Sequence, residues 1–169
     1  MEERVKRDVK VFLVKRDENS LKHWHGARNP IRVVVNFLVI WLCKYLPSLA
    51  LKRLLYRAIG VKIGKDVSVG LGVTFDIFFP ELIEIDDNSI IGYDSLILTH
   101  EFLIKEWRKG RVRIGKNVMI GSWVLILPGV EIGDGAKIAS YSLVNRDVKP
   151  GEFIGGIPIK KIAARHTLS

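Results

Sequence analysis

The chain has 169 residues, 48% of them hydrophobic, which suffices for one domain with a real core and an appendage. A single cysteine, Cys43, excludes a disulfide framework and fits a reducing, cytoplasmic compartment. The net charge of +9 is uneven: residues 1–57 hold 13 Lys and Arg against 5 Asp and Glu, whereas residues 58–169 hold 14 against 13. No nucleic-acid-binding motif accompanies the basic leader, so nucleic acid is not expected as a partner.

Residues 1–29 read as a basic, irregular N-terminal arm around one apolar patch, Val9 to Val14, that could form a short strand. His23-Trp24-His25 would put two imidazoles on one face of a strand, but no third and fourth ligand stands nearby, and no metal site is expected. Residues 30–58 read as a helical segment. Asn29 and Pro30 suit an N-cap followed by proline at the first helical position. An apolar run, Val33 to Cys43, is interrupted only by Asn36, and Pro47 breaks it. A second helix, Ser48 to Ile59, ends at Gly60. The apolar run falls short of the ~20 residues that cross a bilayer and begins too deep for a signal peptide. Two roles fit the segment. It can cover the open end of the repeats that follow, or lie with its basic neighbours on a membrane, a peripheral contact through residues 1–57. Cys43 reads as a small buried hydrophobe.

Residues 59–150 carry a hexad. Ile114, Ile120, Ile126, Ile132, Ile138 and Val144 stand six apart, each flanked two positions away by a small or β-branched residue. Residues two apart on a strand share a face, and Gly, Pro, Asn and Asp between the pairs turn the chain. The unit is a very short strand and a corner, repeated, which predicts a solenoid. Upstream, the pattern slips twice. Ten residues separate Phe75 from Ile85, and seventeen separate Ile97 from Ile114, five more than two repeats. The second slip predicts an inserted loop at about residues 101–111, and such excursions are where solenoids keep their function. Residues 151–169 form a C-terminal tail.

The Ile-Gly-x-x-Val-x pattern, the run Ile126-Leu127-Pro128-Gly129-Val130-Glu131-Ile132-Gly133-Asp134-Gly135 and the ending Pro150-Gly151 to Gly156-Ile157-Pro158 resemble the hexapeptide-repeat acyltransferases. More narrowly, they are similar to the O-acetyltransferases related to galactoside and maltose acetyltransferase. The resemblance covers about residues 59–162. It implies a left-handed, three-sided parallel β-helix, an all-β solenoid preceded here by helices, and a homotrimer with active sites between subunits. The handedness comes from the resemblance alone, since ordinary parallel crossovers are right-handed. It also implies acetyl-CoA as co-substrate and a small-molecule acceptor of the saccharide class.

His100, at the mouth of the inserted loop, is the only histidine within the repeats. An imidazole can take a proton from an alcohol and return one to a thiolate, and Leu98-Thr99-His100 matches where the family carries its catalytic histidine. His100 is therefore expected as general base in direct transfer within a ternary complex, with backbone N–H groups near Ser122 stabilising the oxyanion. If three hexads make a coil, Ser122-Trp123 and Ser140-Tyr141, 18 residues apart, stack at one corner. The resemblance implies that Ser122, Ser140, Asn145 and Arg146 line the CoA groove, with Lys160, and beside it Lys161 or Arg165, meeting phosphates. Two departures stand out: Asn145 replaces the family's usual threonine, and Ala163 stands where a further basic residue is expected. Asp76 falls where family members bind acceptor hydroxyls, although a corner aspartate also makes local turn bonds. Glu84, Asp86 and Asp87 read as turn residues. Two alternatives stay open: N-acetyl transfer to an amino-sugar or amino acid, which would use the same machinery, and a non-catalytic β-helix scaffold.

Overall fold

The computed structural model describes residues 7–14 and 18–162. From Lys62 onward the hexads become strands of two or three residues, most of them one outward residue followed by one buried. Successive strands go in rotation to three sheets. The first holds β2 (Lys62–Ile63), β5 (Ile83–Ile85), β10 (Val112–Ile114) and β13 (Glu131–Ile132). The second holds β3 (Ser68–Val69), β6 (Ile90–Ile91), β11 (Met119–Ile120), β14 (Lys137–Ile138) and β16 (Phe153–Gly155), with β17 (Lys160–Lys161) antiparallel at its edge. The third holds β4 (Thr74–Phe75), β7 (Leu96–Ile97), β12 (Leu125–Ile126) and β15 (Leu143–Val144).

All other pairings within these three sheets are parallel, and their register stacks like on like. Ile63, Ile85, Ile114 and Ile132 are aligned in the first sheet. Val69, Ile91, Ile120, Ile138 and Ile154 are aligned in the second, and Phe75, Ile97, Ile126 and Val144 in the third. These side chains belong to one buried cluster, each at most 6% exposed. Burying each contributes about 1.5–3 kcal/mol, so the aligned rows are the main source of the fold's stability.

The rotation shows where the hexad is broken. β4 is followed by β5 and β7 by β10, so both departures fall between the third sheet and the first, at one corner of successive coils. The first adds four residues to a hexad. The second is a spacing of seventeen from Ile97 to Ile114 with no further strand of these three sheets in it, so eleven residues are inserted beyond one hexad. The insert is a hairpin, not an open loop. Its strands β8 (His100–Phe102) and β9 (Glu106–Lys109) pair antiparallel, and β1 (Lys10–Leu13) of the arm adds to β9. Phe12 stacks on Trp107 with centroids 4.1 Å apart, which fixes the arm to the hairpin.

Among the described residues, three α-helices precede the coils: α1 (Trp24–Ala27), α2 (Pro30–Tyr45) and α3 (Leu49–Ala58). Asn29 caps α2, its side-chain oxygen accepting from the Ile31 amide at 2.9 Å, with Pro30 at the first position. Ser48 caps α3 through the Leu51 amide, and Gly60 turns the chain out of it at φ 103°. α3 lies on the open edge of the first coil. Lys52 Nζ donates to the Val69 and Gly70 carbonyls at 3.2 and 2.8 Å, and the Arg57 guanidinium donates to those of Ile63 and Gly64. These edge carbonyls would otherwise stay unpaired beneath a helix. Part of the leader's positive charge is thus spent inside the protein. No single described helix is long and apolar enough to cross a membrane. Cys43 is fully buried on α2, and burial pushes its thiol up to about 11.

Candidate active site

Because both insertions share a corner, they stack. Phe75 of β4 pairs with Ile97 of β7, so the residues leaving these strands, Asp76 and Leu98-Thr99-His100, come together. His100 Nδ1 lies 2.5 Å from Asp76 Oδ2, an oxygen that also accepts from the Thr99 and His100 amides at 2.8 and 3.1 Å. Asp76 Oδ1 accepts from the amides of Phe78 and Phe79 at 2.7 and 3.0 Å. The Asp76 side chain is wholly buried, while the His100 side chain keeps 13% exposure. This corrects the expectation that Asp76 meets an acceptor hydroxyl: both oxygens are already saturated and no surface of it remains to be touched. Burial pushes its carboxyl pKa up. The hydrogen bond and charge of His100 and the Thr99 and Phe79 amides outweigh that and hold it below the ordinary value.

A carboxylate accepts, so the short contact requires Nδ1 to carry the proton, and Nε2 is the nitrogen left to take one. Aromatic rings wall the imidazole: Phe78 stands 4.5 Å away and Phe102 5.0 Å, with Phe79 at 6.1 Å. Phe79 stacks on Trp107 of the hairpin, and Lys109 Nζ sits 4.7 Å above its ring. From the other side Val33 of α2 packs with Phe78 and Phe79. In such a low-dielectric wall the carboxylate–imidazole contact is stronger than it would be in water. The sequence reading missed this pairing and its aromatic wall. The available signal was that the two slips, counted in coils of three strands, share one corner.

The other expected residues lie elsewhere. Ser122 and Ser140 stand between the second and third sheets, one corner away from His100 along the chain's rotation. They do stack: the Ser122 amide donates to Ser140 Oγ at 3.1 Å, and a Cβ on Gly121 would come within 2.6 Å of the Ser140 nitrogen. The amides around Ser122 are all engaged, Gly121 to the Ile138 carbonyl and Trp123 to that of Tyr93. The expectation of an oxyanion site there is corrected accordingly. Beside the serines, Trp123 and Tyr141 stack with centroids 6.0 Å apart and planes within 4°. Both hold positive φ, 60° and 56°, where the equivalent turns use Asp66, Asn88, Asp94 and Asn117. Asn145 and Arg146 follow β15 on the way to Val148, which bridges to Ile132, so they share the third-to-first corner of His100, two coils further on. Arg146 and Lys161 line one open cleft of about 570 Å³ with Lys149 and Glu152, and Arg146 meets Glu152 at 3.4 Å. Lys160 is exposed on β17. Ala163 and Arg165 lie outside the described residues. His23 Nε2 meets Glu18 at 3.1 Å, and among the described residues no three His, Cys, Asp or Glu side chains cluster as metal ligands.

Residues 111–146 match the family model described as bacterial transferase hexapeptide (six repeats). A Bacillus subtilis protein named "Putative acetyltransferase YvoF" is 46% identical over 151 residues, 89% of this chain and 88% of that one. A Staphylococcus aureus protein named "Putative acetyltransferase SAR0816" is 41% identical over 154 residues, 89% of this chain and 96% of that one. Among solved structures, galactoside acetyltransferase in complex with coenzyme A superposes with a TM-score of 0.63 at 20% identity, over 91% of this chain and 86% of that one. A hexapeptide-repeat acetyltransferase of Vibrio cholerae complexed with acetyl coenzyme A gives 0.60 at 20% identity, over 79% and 86%. At such identities the structural likeness speaks for the fold.

Proposed function

This chain belongs to the hexapeptide-repeat acetyltransferases, CoA-dependent enzymes, and from that premise we propose that it moves the acetyl group of acetyl-CoA to a hydroxyl of a saccharide. One observation carries the reading: the imidazole of His100, held through Nδ1 by buried Asp76, at the corner where both insertions meet. In the proposed reaction Nε2 takes the proton of the acceptor hydroxyl as its oxygen bonds to the thioester carbonyl carbon. The resulting oxyanion collapses, the carbon–sulfur bond breaks, and the imidazolium returns its proton to the departing thiolate. Asp76 is a positioning residue here, fixing the tautomer and stabilising the imidazolium. No acyl-enzyme is needed; Cys43, the one thiol, is buried and held protonated by that burial.

The coils are read as a left-handed, three-sided β-helix from residue 59 to 150, with residues 1–29 as arm, 30–58 as cap and 151–169 as tail. Ser122, Ser140 and Asn145 line the proposed groove for the pantetheine chain, and Arg146 and Lys160 the nucleotide phosphates. In one chain Ser122 and Ser140 lie a corner away from His100, which supports a trimer whose sites are completed by a neighbour. Dependence on acetyl-CoA favours the cytoplasmic side.

The test is CoA-thiol release from acetyl-CoA with a panel of saccharides and amino-sugars, followed by hydroxylamine treatment of the product. The expected product is a hydroxylamine-labile ester formed only with hydroxyl acceptors. A stable amide would shift the reading to N-acetyl transfer, and failure to bind acetyl-CoA would leave a scaffold.

A further inference from the structure

The largest feature that acetyl transfer does not use is the outer face of α2. Ile31, Val34, Val35, Leu38, Trp41, Leu42 and Tyr45 are 44–75% exposed there, and Phe37 is 49% exposed. At 3.6 residues per turn they fill one uninterrupted arc of about 160°. The opposite arc is the one the fold uses, with Val33, Asn36, Ile40 and Cys43 buried. A helix apolar on all sides belongs in a core or in lipid, and this one has only half its circumference covered among the described residues. From these observations we propose that the outer face of α2 docks onto an anionic lipid surface. The proposal does not depend on the acceptor or on the chemistry of His100.

Charge selects this occupant. Residues 29–58 contain no Asp or Glu, and of their five basic residues Lys52, Arg53 and Arg57 donate to first-coil carbonyls, which leaves Arg32 and Lys44 beside the apolar arc. Arg32 and Lys44 border the apolar arc on its two sides, the arrangement of an interfacial helix with a basic flank. Trp41 and Tyr45 lie toward its C-terminal end, and such rings favour the headgroup level. Lys44 also edges an apolar cleft of about 280 Å³ lined by Phe37, Ile40, Trp41, Thr74 and Ile77, so an anionic headgroup at the ammonium would have apolar surface below it. A second copy of this helix is the poorer occupant: a self-complementary two-fold contact would set Arg32 and Lys44 against their own images, with no carboxylate on either helix. Contact with a different face of a trimer neighbour is told apart by oligomeric state. Docking would also hold the active-site wall close to lipid, because the inner face of α2 carries Val33 against Phe78, whose ring is 4.5 Å from that of His100.

The experiment is co-sedimentation of the full chain with vesicles of phosphatidylcholine alone or mixed with phosphatidylglycerol. A triple variant, Leu38→Gln with Trp41→Gln and Leu42→Gln, alters only outward side chains. Leu13→Gln, 77% exposed on the arm, serves as control. The expected result is pelleting with phosphatidylglycerol-containing vesicles, at least tenfold weaker for the triple variant and unchanged for the control. Circular dichroism and acetyl transfer to a free acceptor should be retained by the triple variant, which separates this result from failure of the acetyltransferase reading. Absence of pelleting by the wild type, or equal pelleting by the triple variant, overturns the proposal. So does a fall in oligomeric state in the triple variant, which would assign the face to contact between copies.

Discussion

The coils from Val112 to Val144 and those from Lys62 to Ile97 use the same strands of two or three residues, yet they differ at one corner. In the later coils the chain passes from the third sheet to the first through Leu127-Pro128-Gly129, within the hexad. In the earlier ones it leaves at that corner twice, and the two excursions pack on each other as Asp76–Phe79 and the His100 hairpin. A regular stack supplies stiffness and repeated shallow grooves. An imidazole with a defined tautomer needs extra chain to bring in a buried carboxylate and an aromatic wall. Regularity suits holding a long flexible co-substrate, and interruption suits chemistry.

That contrast can be broken at several points. Asp76→Asn keeps the shape of the interrupted corner but removes the charge that steadies the imidazolium and turns one accepting oxygen into an NH2 facing N–H donors. We expect acetyl transfer to fall by about 10–100-fold with acetyl-CoA affinity kept, measured as kcat against KM. Lys52→Met strips two edge carbonyls of their donor while relieving a buried charge. The expected net loss is about 2 kcal/mol in urea unfolding, with the later coils unaffected by hydrogen exchange. Ser48→Ala removes the α3 cap and should cost about 1 kcal/mol. Asp76 also sets a pH dependence. Its folded pKa lies below the ordinary value, so its stabilising contribution is whole above the unfolded carboxyl range, about 4, and is lost as pH falls through the lower folded value. Below about pH 4 the wild type should therefore lose stability more steeply than Asp76→Asn in thermal melts. At the regular corner, Tyr141→Asn trades a ring stack for relief of a left-handed backbone, two effects each on the order of 1 kcal/mol. Stability within about 1 kcal/mol of wild type is expected from the same melts.

The regular region was readable because a period of six needs no long-range information: each Ile row names its own sheet. The cap at Asn29 and the end of the second helix at Gly60 were legible for the same local reason. His100 could be singled out by its place at the mouth of the long slip. Its partner could not, because Asp76 lies 24 residues away and their meeting depends on counting both slips in whole coils. Spacing alone does not say whether the strand beyond the insert opens a new turn or skips one, so the slip counts equally as five residues beyond two repeats or eleven beyond one. The hairpin and the pairing of Lys10–Leu13 with it depend on tertiary contacts, Phe12 on Trp107 above all. Nor could spacing show that Lys52 and Arg57 turn inward to carbonyls, or that α2 leaves half its apolar surface uncovered.

The most direct measurement is single-turnover acetyl transfer by wild type and His100→Ala, both saturated with acetyl-CoA as verified by equilibrium binding. If Nε2 of His100 removes the acceptor proton, the variant should bind acetyl-CoA as tightly as wild type and transfer its acetyl group at least ~100-fold more slowly. Transfer at the wild-type rate by a correctly folded His100→Ala would show that the interrupted corner is not where the chemistry occurs.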